Sequence, residues 1–317
     1  MVNNVYIIIV TYNGMQWLEK CLKSCTNYPV IVIDNASTDG TVSFIETNFP
    51  NVVLFKQTKN LGFGQANNLG IRYALDQGAE HVFLLNQDAY LVNSVLDDLV
   101  AFQKRHLAYG VLSPVHITGD QTKLDRGFSN YMHKEETGRF YSDFVLGNTL
   151  AEVYAVPFVN AAAWLISRKC LETVGGFDPL FFHYGEDDNY CQRVLYHGFK
   201  IGVLPKPYII HDRGNRKIEK PEVFSDAYYK NKEKSYKVKL GDINRDNVIN
   251  SHLRKLKRRV LKLQLQLKFT RSVAFKKELS ILQHLAPKIE ESRRVNKTQG
   301  LHYIYMKYKK SNTSLNF

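Results

Sequence analysis

Short apolar runs alternate with amphipathic segments over the first hundred residues of the chain. Residues 5–10 (VYIIIV) form an unbroken apolar run, which is typical of a β-strand covered on both faces. Between residues 14 and 25 the apolar side chains recur every three or four positions, and this predicts a helix with one apolar stripe. The same alternation predicts strands over 30–33, 52–55 and 81–85, and helices over 42–49, 64–75 and 94–105. Strands that alternate with helices of this length indicate βαβ units around a parallel sheet.

The pattern is weaker after residue 111. Residues 117–155 are polar, aromatic and interrupted by glycine, and the pattern assigns no element to them. Long excursions of this kind in compact domains are often functional. After an apolar stretch over 156–166, the pattern predicts a helix over 187–197 and two short strands over 200–204 and 208–211.

From about residue 222 the chain becomes basic and helical. Apolar side chains recur at alternating steps of four and three residues between Ile249 and Leu267, and lysine and arginine fill the positions between them. Residues 230–317 hold 23 Lys and Arg against six Asp and Glu, so they account for more than the whole net charge of +13. We therefore expect a mildly acidic body with a cationic helical extension.

Three interpretations of this extension remain open. In the first, its apolar stripe packs on the rest of the chain or pairs with a second copy in a homodimer. In the second, its cationic face lies on an anionic membrane surface. Nucleic-acid binding is the least favoured interpretation, because no recognised nucleic-acid motif accompanies the charge.

Composition excludes several classes of protein. With 317 residues, 44% of them hydrophobic and 23% charged, the chain is neither disordered nor collagenous and is long enough for one large or two modest domains. Four cysteines do not make a disulfide framework, and no Cys and His residues stand at zinc-ligand spacing. No apolar run approaches the roughly 18 residues of a membrane span. These features predict a soluble, cytoplasmic protein.

Small, polar or acidic residues follow each of the first four predicted strands. They are Thr11, Tyr12, Asn13 and Gly14 after the first strand, Asp34 and Asn35 after the second, Asn60, Gly62, Asn67 and Asn68 after the third, and Asn86, Gln87 and Asp88 after the fourth. Such residues are ordinary in turns. However, ligands of open parallel sheets bind at the carboxyl ends of the strands, so four such ends in succession predict one site.

The chemistry of this rim is compatible with a nucleotide. The glycine-rich dinucleotide fingerprint and the Walker motif are both missing. A nucleotide would therefore be held by carboxylates and amides, with a metal ion on its phosphates. Asp34 suits a contact to the base or ribose, and Asp88 suits Mg²⁺ or Mn²⁺, which prefer carboxylate oxygens.

Six segments in this order resemble the family 2 glycosyltransferases, and especially their rhamnosyltransferase-like branch. The segments are VTYNG (10–14), VIDNASTDGT (32–41), NLGFGQANN (60–68), LLNQDA (84–89), GGFDPLFFHYGEDDNYCQR (175–193) and IIHD (209–212). The resemblance implies an α/β protein of the GT-A fold, in which helices flank a mostly parallel central sheet. It predicts a catalytic domain over 1–221, with a nucleotide-binding part to about 116 and an acceptor part over 117–221, followed by the extension at 222–317.

The resemblance also implies an activity. A sugar would pass from a nucleotide diphosphate, linked to UDP or dTDP, to a hydroxyl of a glycan or lipid-linked acceptor, with inversion. In this chain Thr11 and Asp34 would contact the nucleotide, and Asn67 and Asn68 would lie near the base and ribose. Asn86, Gln87 and Asp88 replace the family's D-x-D segment with a leading asparagine, and His211 matches a histidine that can complete the metal or diphosphate shell.

The catalytic base is expected in the acidic segment. Glu186 and Asp187 match the family's E-D pair, and Asp187 is the predicted base that accepts the proton of the acceptor hydroxyl. The metal ion would neutralise charge on the departing diphosphate. Trp164, His183 and Tyr184 are candidate contacts for the acceptor sugar, and packing in the interior is the alternative for each of them.

Two other functions compete with this interpretation. Asn86 and Asn189 stand where relatives carry aspartates, which would suit a catalytically silent protein that only binds a sugar nucleotide. A nucleotidyltransferase shares the sheet architecture, but it usually needs a basic, glycine-rich loop after the first strand, and residues 11–14 contain no basic residue. We expect a transferase that builds a surface polysaccharide at the inner face of a bacterial membrane.

Overall fold

The computed structural model describes residues 4–132, 137, 139–214 and 220–305. Its N-terminal half follows the predicted alternation. Four parallel strands, β1 (Val5–Thr11), β2 (Val30–Asp34), β3 (Val53–Lys56) and β4 (His81–Asn86), lie in the order β3-β2-β1-β4. The helices between and after them are α1 (Met15–Ser24), α2 (Thr41–Asn48), α3 (Gly62–Asp76) and α4 (Val95–Arg105). The prediction of a parallel α/β sheet is confirmed.

Five further strands extend this sheet on the β4 side, and their directions are mixed. They are β5 (Ala89–Leu91), β6 (Tyr109–Thr118), β7 (Tyr154–Ala155), β8 (Ala163–Ser167) and β9 (Lys200–His211). Within the described residues the sheet has nine strands, in the order β3-β2-β1-β4-β8-β6-β9-β5 with β7 also on β9. β8 runs antiparallel to both β4 and β6, whereas β6 and β9 run parallel.

The two short strands predicted at the end of the catalytic domain form one strand, β9. Its pairing with β6 is interrupted between Val203 and Tyr208. Pro205 and Pro207 lie in this interval. A proline has no backbone N–H to donate to the ladder, so the strand continues through a local break in pairing.

The excursion without a predicted element contains the end of β6, two short helices and β7. The helices are α5 (Arg126–Met132) and α6 (Phe140–Leu146). Next come α7 (Arg168–Val174), whose first turn is capped by the Ser167 hydroxyl, and α8 (Glu186–Tyr196). Helices of seven residues carry too few turns for a periodic signal, which explains why the pattern did not reveal α5 and α6.

The central strands are buried on both faces. Alternate residues of β1 and β4 face opposite sides of the sheet. Ile8 and Leu84 belong to a core with α3, α7 and α8, whereas Ile7 and Phe83 belong to a core with α1 and α4. This arrangement accounts for the unbroken apolar run at the start of the chain.

The extension forms three helices, α9 (Asp226–Gly241), α10 (Val248–Leu265) and α11 (Phe269–Asn296). Ile249, Leu256 and Val260 of the predicted stripe are buried against side chains of α9 and α11. The inner part of the stripe therefore packs on the chain itself, whereas Leu267, its last member, lies exposed in the turn after α10. No helix in the described part of the chain has the length and apolar character needed to cross a bilayer.

The last helix is bound by a carboxylate that lies outside the extension. Asp178, which belongs to the motif at 175–193, accepts hydrogen bonds at Oδ2 from Ser292 Oγ (2.6 Å) and Asn296 Nδ2 (2.8 Å) of α11. The Leu180 amide donates to its Oδ1 at 2.8 Å. The extension thus contacts the segment that leads to the predicted catalytic base.

Candidate active site

The loops after β1 and β2 are joined by hydrogen bonds. Thr11 Oγ1 donates to Asp34 Oδ1 at 3.2 Å, and the Asn35 amide donates to the Thr11 carbonyl at 2.8 Å. Asp34 Oδ2 accepts the Ser37 amide at 3.0 Å. The register of β1 and β2 places Thr11 beside Asp34, so their proximity follows from the parallel pairing.

The remaining loops of this rim are joined in the same way. The Tyr12 amide donates to Gln87 Oε1 at 2.9 Å, which connects the loops after β1 and β4. Asn13 Oδ1 accepts the Thr38 amide at 2.8 Å. The predicted nucleotide-binding residues of the first, second and fourth strand ends therefore lie together at the carboxyl edge of the sheet.

The loop after β3 is held by asparagine side chains. Asn35 Nδ2 donates to the Gly62 carbonyl at 3.2 Å, and its Oδ1 accepts the Leu61 amide at 3.2 Å. Asn60 Oδ1 accepts the Gly62 amide at 2.8 Å. The side chains of Asn35 and Asn60 thus hold the backbone of this loop in place by hydrogen bonds, which is a usual role of asparagine in turns.

Two asparagines of α3 lie below the rim. Asn68 Oδ1 accepts the Phe177 amide at 2.7 Å, and its Nδ2 donates to the Phe177 carbonyl at 2.8 Å. Asn67 Nδ2 donates to the Phe63 carbonyl at 3.0 Å, and both residues are buried. Asn68 therefore fixes the turn at 176–177 against α3, a role different from the base or ribose contact expected from the sequence.

Asp88 and His211 come together because β5 pairs with the end of β9. The register places Ala89 opposite His211, and the Asp212 amide donates to the Asp88 carbonyl at 2.7 Å. His211 Nε2 lies 3.4 Å from Asp88 Oδ1. Neither ring nitrogen of this buried histidine has a hydrogen-bond partner among the described residues.

This pair fits a divalent cation that is only partly bound by protein. The described residues contain no group of three or more His, Cys, Asp or Glu side chains arranged to hold a metal. Mg²⁺ at nucleotide sites is commonly held by one or two carboxylates together with water and substrate phosphates. A carboxylate and a buried imidazole without a hydrogen bond would thus supply the protein's share of the ligands.

The structure adds Asp125 and Arg213, which the sequence analysis did not single out. Asp125 Oδ2 lies 3.6 Å from His211 Nδ1, on the side of the ring away from Asp88. Arg213 binds both carboxylate oxygens of Asp125, at 2.9 and 2.8 Å. A carboxylate behind a ligand histidine fixes its ring orientation. Asp125 lies in the excursion without a predicted element, so no sequence signal pointed to it.

The acidic segment begins α8. Gly185 precedes the helix with φ +95°, and Glu186, Asp187 and Asp188 form its first turn, where the helix dipole favours negative charge. Burial raises the pKa of Asp187, although the Asp188 amide donates to its Oδ1 at 2.9 Å. Burial, reinforced by the Asp187 charge, raises the pKa of Glu186 to about 8.

Two glycines let this segment approach the rim. Gly62 has φ +78°, and the Phe182 carbonyl occupies the space that a β-carbon at position 62 would need. A β-carbon at Gly64 would contact Phe177 and Glu186. Glycine is required at 62 both for the backbone angle and for the close approach. The acidic segment therefore packs directly on the start of α3.

The buried hydroxyl of Tyr131 is influenced by two carboxylates, those of Asp125 and of the candidate base Asp187. Burial raises the pKa of its hydroxyl well above the ordinary value, and the charges of Asp125 and Asp187 act in the same direction. Both carboxylates therefore lie within electrostatic reach of one buried side chain.

The candidate acceptor residues divide into two groups. Trp164 is fully buried in β8 and stacks on Phe177, with ring centroids 6.3 Å apart. It is a core residue with no face open to an acceptor, so that expectation is corrected. His183 and Tyr184 are exposed, and the Lys234 Nζ lies 4.8 Å from the centroid of the Tyr184 ring. Beside them lies a cavity of about 250 Å³ whose lining includes Asp188.

Comparison with known proteins decides the family. The model of the glycosyl transferase family 2 domain matches residues 6–175, more than half of the chain. The chain belongs to this family. As a family 2 glycosyltransferase it uses nucleotide-sugar donors, and the resemblance inferred from the six motifs is confirmed.

Relatives of this glycosyltransferase include two rhamnosyltransferases. The dTDP-rhamnosyl transferase RfbF of Shigella flexneri is 26% identical over 234 residues, which cover 69% of this chain and 72% of RfbF. The N-acetylglucosaminyl-diphospho-decaprenol L-rhamnosyltransferase of Mycobacterium tuberculosis is 26% identical over 249 residues, which cover 71% of this chain and 81% of that enzyme.

Solved structures agree on the GT-A fold of this glycosyltransferase. The mannosyltransferase PcManGT of Pyrobaculum calidifontis, in complex with GDP-Man and Mn²⁺, superposes with a TM-score of 0.53 at 19% identity, over 92% of this chain and 73% of that one. GalNAc-T7 with UDP, GalNAc and Mn²⁺ gives a TM-score of 0.54 at 17% identity, over 74% and 47% of the respective chains.

The raised pKa of Glu186 makes the stability of this glycosyltransferase depend on pH. Unfolding returns the carboxyl to its ordinary pKa, so between about pH 4.5 and about pH 8 the folded state holds the proton more tightly. The free energy of unfolding should therefore fall as pH rises through this window, by at most about 1.4 kcal/mol per pH unit from this group. Glu186→Gln should flatten the dependence, measured by chemical denaturation at several pH values. Parallel curves for the variant and the parent would contradict the prediction.

Proposed function

We propose that this family 2 glycosyltransferase transfers a sugar, with inversion, from a dTDP- or UDP-linked donor to a hydroxyl of a glycan or lipid-linked acceptor. The observation that carries the proposal is the pairing of Asp88 with His211, together with a separate half-buried carboxylate, Asp187, in the first turn of α8. The two rhamnosyltransferase relatives support a deoxyhexose donor and a role in polysaccharide assembly. The diphospho-decaprenol in one of those names supports a lipid-linked acceptor.

The donor nucleotide would lie on the rim formed by the first four strand ends. Asp34 and Thr11 lie at the junction of β1 and β2, where a carboxylate can accept hydrogen bonds from a base or ribose. The diphosphate would then extend toward Asp88 and His211. A divalent cation, Mg²⁺ or Mn²⁺, held by these two residues would neutralise the charge of the leaving diphosphate.

Asp187 would act on the acceptor. Its carboxylate accepts the proton of the attacking hydroxyl as the oxygen approaches the anomeric carbon, which raises the nucleophilicity of that oxygen. The burial that raises the pKa of Asp187 also makes it a stronger base than an exposed aspartate. Attack from the face opposite the diphosphate inverts the anomeric centre, and such a single displacement needs no covalent sugar–enzyme bond.

The acceptor would approach past Tyr184. Lys234 and Lys239 of α9 line the cavity beside this tyrosine, so the extension contributes positive charge next to the acidic segment. Lysine ammonium groups bind phosphate as point charges, which suits a diphosphate-linked lipid. We place this reaction at the cytoplasmic face of a membrane, where lipid-linked intermediates would be presented.

The proposal is tested with a panel of dTDP-, UDP- and GDP-sugars. Thermal shifts with and without Mn²⁺ report donor binding, because a ligand of the folded state raises the melting temperature by mass action. Release of the nucleoside diphosphate reports turnover. The expected result is a donor that stabilises the protein and is hydrolysed slowly alone, and whose nucleoside diphosphate is released faster when a lipid-linked acceptor takes the sugar. Tight binding with no turnover for any acceptor would support the silent binding protein, and release of pyrophosphate from a nucleoside triphosphate and a sugar phosphate would support the nucleotidyltransferase.

A further inference from the structure

The hairpin of α10 and α11 ends in an apolar tip. We define the tip as residues 261–273, where five large apolar side chains are between 58% and 77% exposed: Leu261, Leu265, Leu267, Phe269 and Val273. Leu261 and Leu265 lie one turn apart on α10, and Phe269 and Val273 lie one turn apart on α11, so each pair shares a helix face. Leu267 lies in the turn between them with φ +55°.

The five exposed side chains of the tip lie outside the core of the extension. The fully buried apolar contacts of α10 with α11 end at Val260 and Phe275, and beyond Val260 only the half-buried Leu263 packs against this core among the described residues of the tip. Exposed leucine and phenylalanine at the end of a hairpin gain nothing from folding. A soluble protein rarely concentrates such side chains without a partner for them.

The charge around the tip is of one sign. Between Asp246 and Glu278 the sequence has ten Lys and Arg residues and no Asp or Glu. Lys257, Arg258, Lys262, Lys268 and Arg271 are all exposed beside the apolar side chains. We call these five cationic residues the collar. Two interactions bind a protein to an anionic bilayer surface, burial of apolar side chains and attraction to the headgroups, and the tip with its collar offers both.

We propose that this tip inserts into an anionic lipid bilayer. A second copy of the chain is a poorer occupant, because apposed tips would bring two cationic collars together. A nucleic acid would satisfy the charge but would leave the leucines and Phe269 without an apolar environment. The bilayer meets both requirements, and its anionic headgroups complement the collar.

The insertion would also anchor the catalytic domain. α11 begins at Phe269 in the tip and reaches Asp178 through Ser292 and Asn296 near its other end. One continuous helix thus connects the bilayer contact with the segment that carries the acidic residues. The insertion itself is inferred without the proposed function. Only its biological purpose rests on that function, because membrane contact would bring the enzyme to a lipid-linked acceptor.

Vesicle co-sedimentation tests the insertion without any sugar donor, so its outcome is independent of transferase activity. The probes are vesicles of phosphatidylcholine alone and of equal parts phosphatidylcholine and phosphatidylglycerol. The full chain should bind the mixed vesicles and bind pure phosphatidylcholine much more weakly. The combined variant Leu265→Gln, Leu267→Asn, Phe269→Gln keeps the net charge and should bind the mixed vesicles at least about 100-fold more weakly.

Charge and control variants complete the experiment. Lys262→Gln with Lys268→Gln should weaken binding to the mixed vesicles by about fivefold for each lost charge. Leu107→Gln removes an equally exposed leucine outside the extension and should bind as the parent does. Unchanged circular dichroism and donor binding would show that the variants are folded.

Three results would overturn the proposal. The first is binding of the apolar variant as tight as that of the parent, and the second is failure of the parent to bind the mixed vesicles. The third is a parent dimer, seen by sedimentation, that the apolar variant dissociates, because this would assign the tip to contact between copies.

Discussion

Asp187→Asn is expected to lower kcat for sugar transfer by about 10²- to 10⁴-fold, the usual contribution of a general base. The asparagine has nearly the same shape but cannot accept the proton of the acceptor hydroxyl. The donor does not depend on this group, so its Kd should stay within about threefold of the parent value. Because burial raises the pKa of Asp187, removing its charge should leave the melting temperature unchanged or higher. Initial rates with saturating donor, calorimetric donor binding and thermal unfolding measure these three quantities.

The neighbouring Asp188 is the matched control for this variant. It lies in the same helical turn and is likewise half-buried, yet it borders the cavity beside Tyr184. Asp188→Asn should retain transfer within about tenfold of the parent. If Asp187→Asn loses donor affinity in step with kcat, or if Asp188→Asn has the larger effect, the base has been assigned to the wrong residue.

The N-terminal half of the fold could be predicted because its signals are local. Every strand and helix predicted up to residue 105 is present, with ends that agree within two residues. Each element carries its own periodicity, and parallel connection rules then place the carboxyl ends of the strands at one edge. The proximity of Thr11, Asp34 and Gln87 follows from this topology alone.

Other features depend on contacts between distant parts of the chain, which a pattern along the sequence does not contain. Tryptophan is a residue type that can stack on sugars. However, the strand that carries Trp164 lies between β4 and β6, and the side chain is completely buried there. Asn68 belongs to a motif, yet the turn 109 residues later occupies both polar atoms of its side chain. Asp125 reaches His211 only because the excursion after β6 returns to the sheet edge.

The extension illustrates both situations within one amphipathic stripe. The spacing of its apolar residues predicted a helix correctly. However, this spacing is the same whether the apolar face packs on protein or contacts a lipid bilayer. The structure divides the stripe after Leu263: the members up to this residue pack on the core of α9, α10 and α11, whereas Leu267 is exposed in the tip. Self-packing and membrane contact are therefore compatible interpretations of two different parts of the same hairpin.

Asp88→Asn is expected to abolish the effect of Mn²⁺ on donor binding. The asparagine keeps the shape of the side chain but loses the negative charge that a divalent cation requires, and His211 alone offers a single neutral ligand. In the parent, Mn²⁺ should tighten the Kd for the donor by more than about tenfold relative to a chelator, and in the variant the two values should coincide. Calorimetry of the donor with and without Mn²⁺ measures this difference independently of turnover.

Asp125→Asn is expected to have a smaller effect than Asp88→Asn, because Asp125 positions His211 and is not itself a metal ligand. Its carboxylate is 3.6 Å from His211 Nδ1 and is bound by Arg213, so its loss should disturb the orientation of the imidazole without removing a ligand. We expect Mn²⁺ affinity, measured in the presence of the donor, to fall by about 10- to 100-fold, the usual effect of removing a partner behind a ligand histidine. Asp98→Asn, on the exposed face of α4, should change nothing. An Asp88→Asn variant that keeps the full Mn²⁺ effect would remove this aspartate from the cation site and, with it, the main support for a metal-assisted reaction.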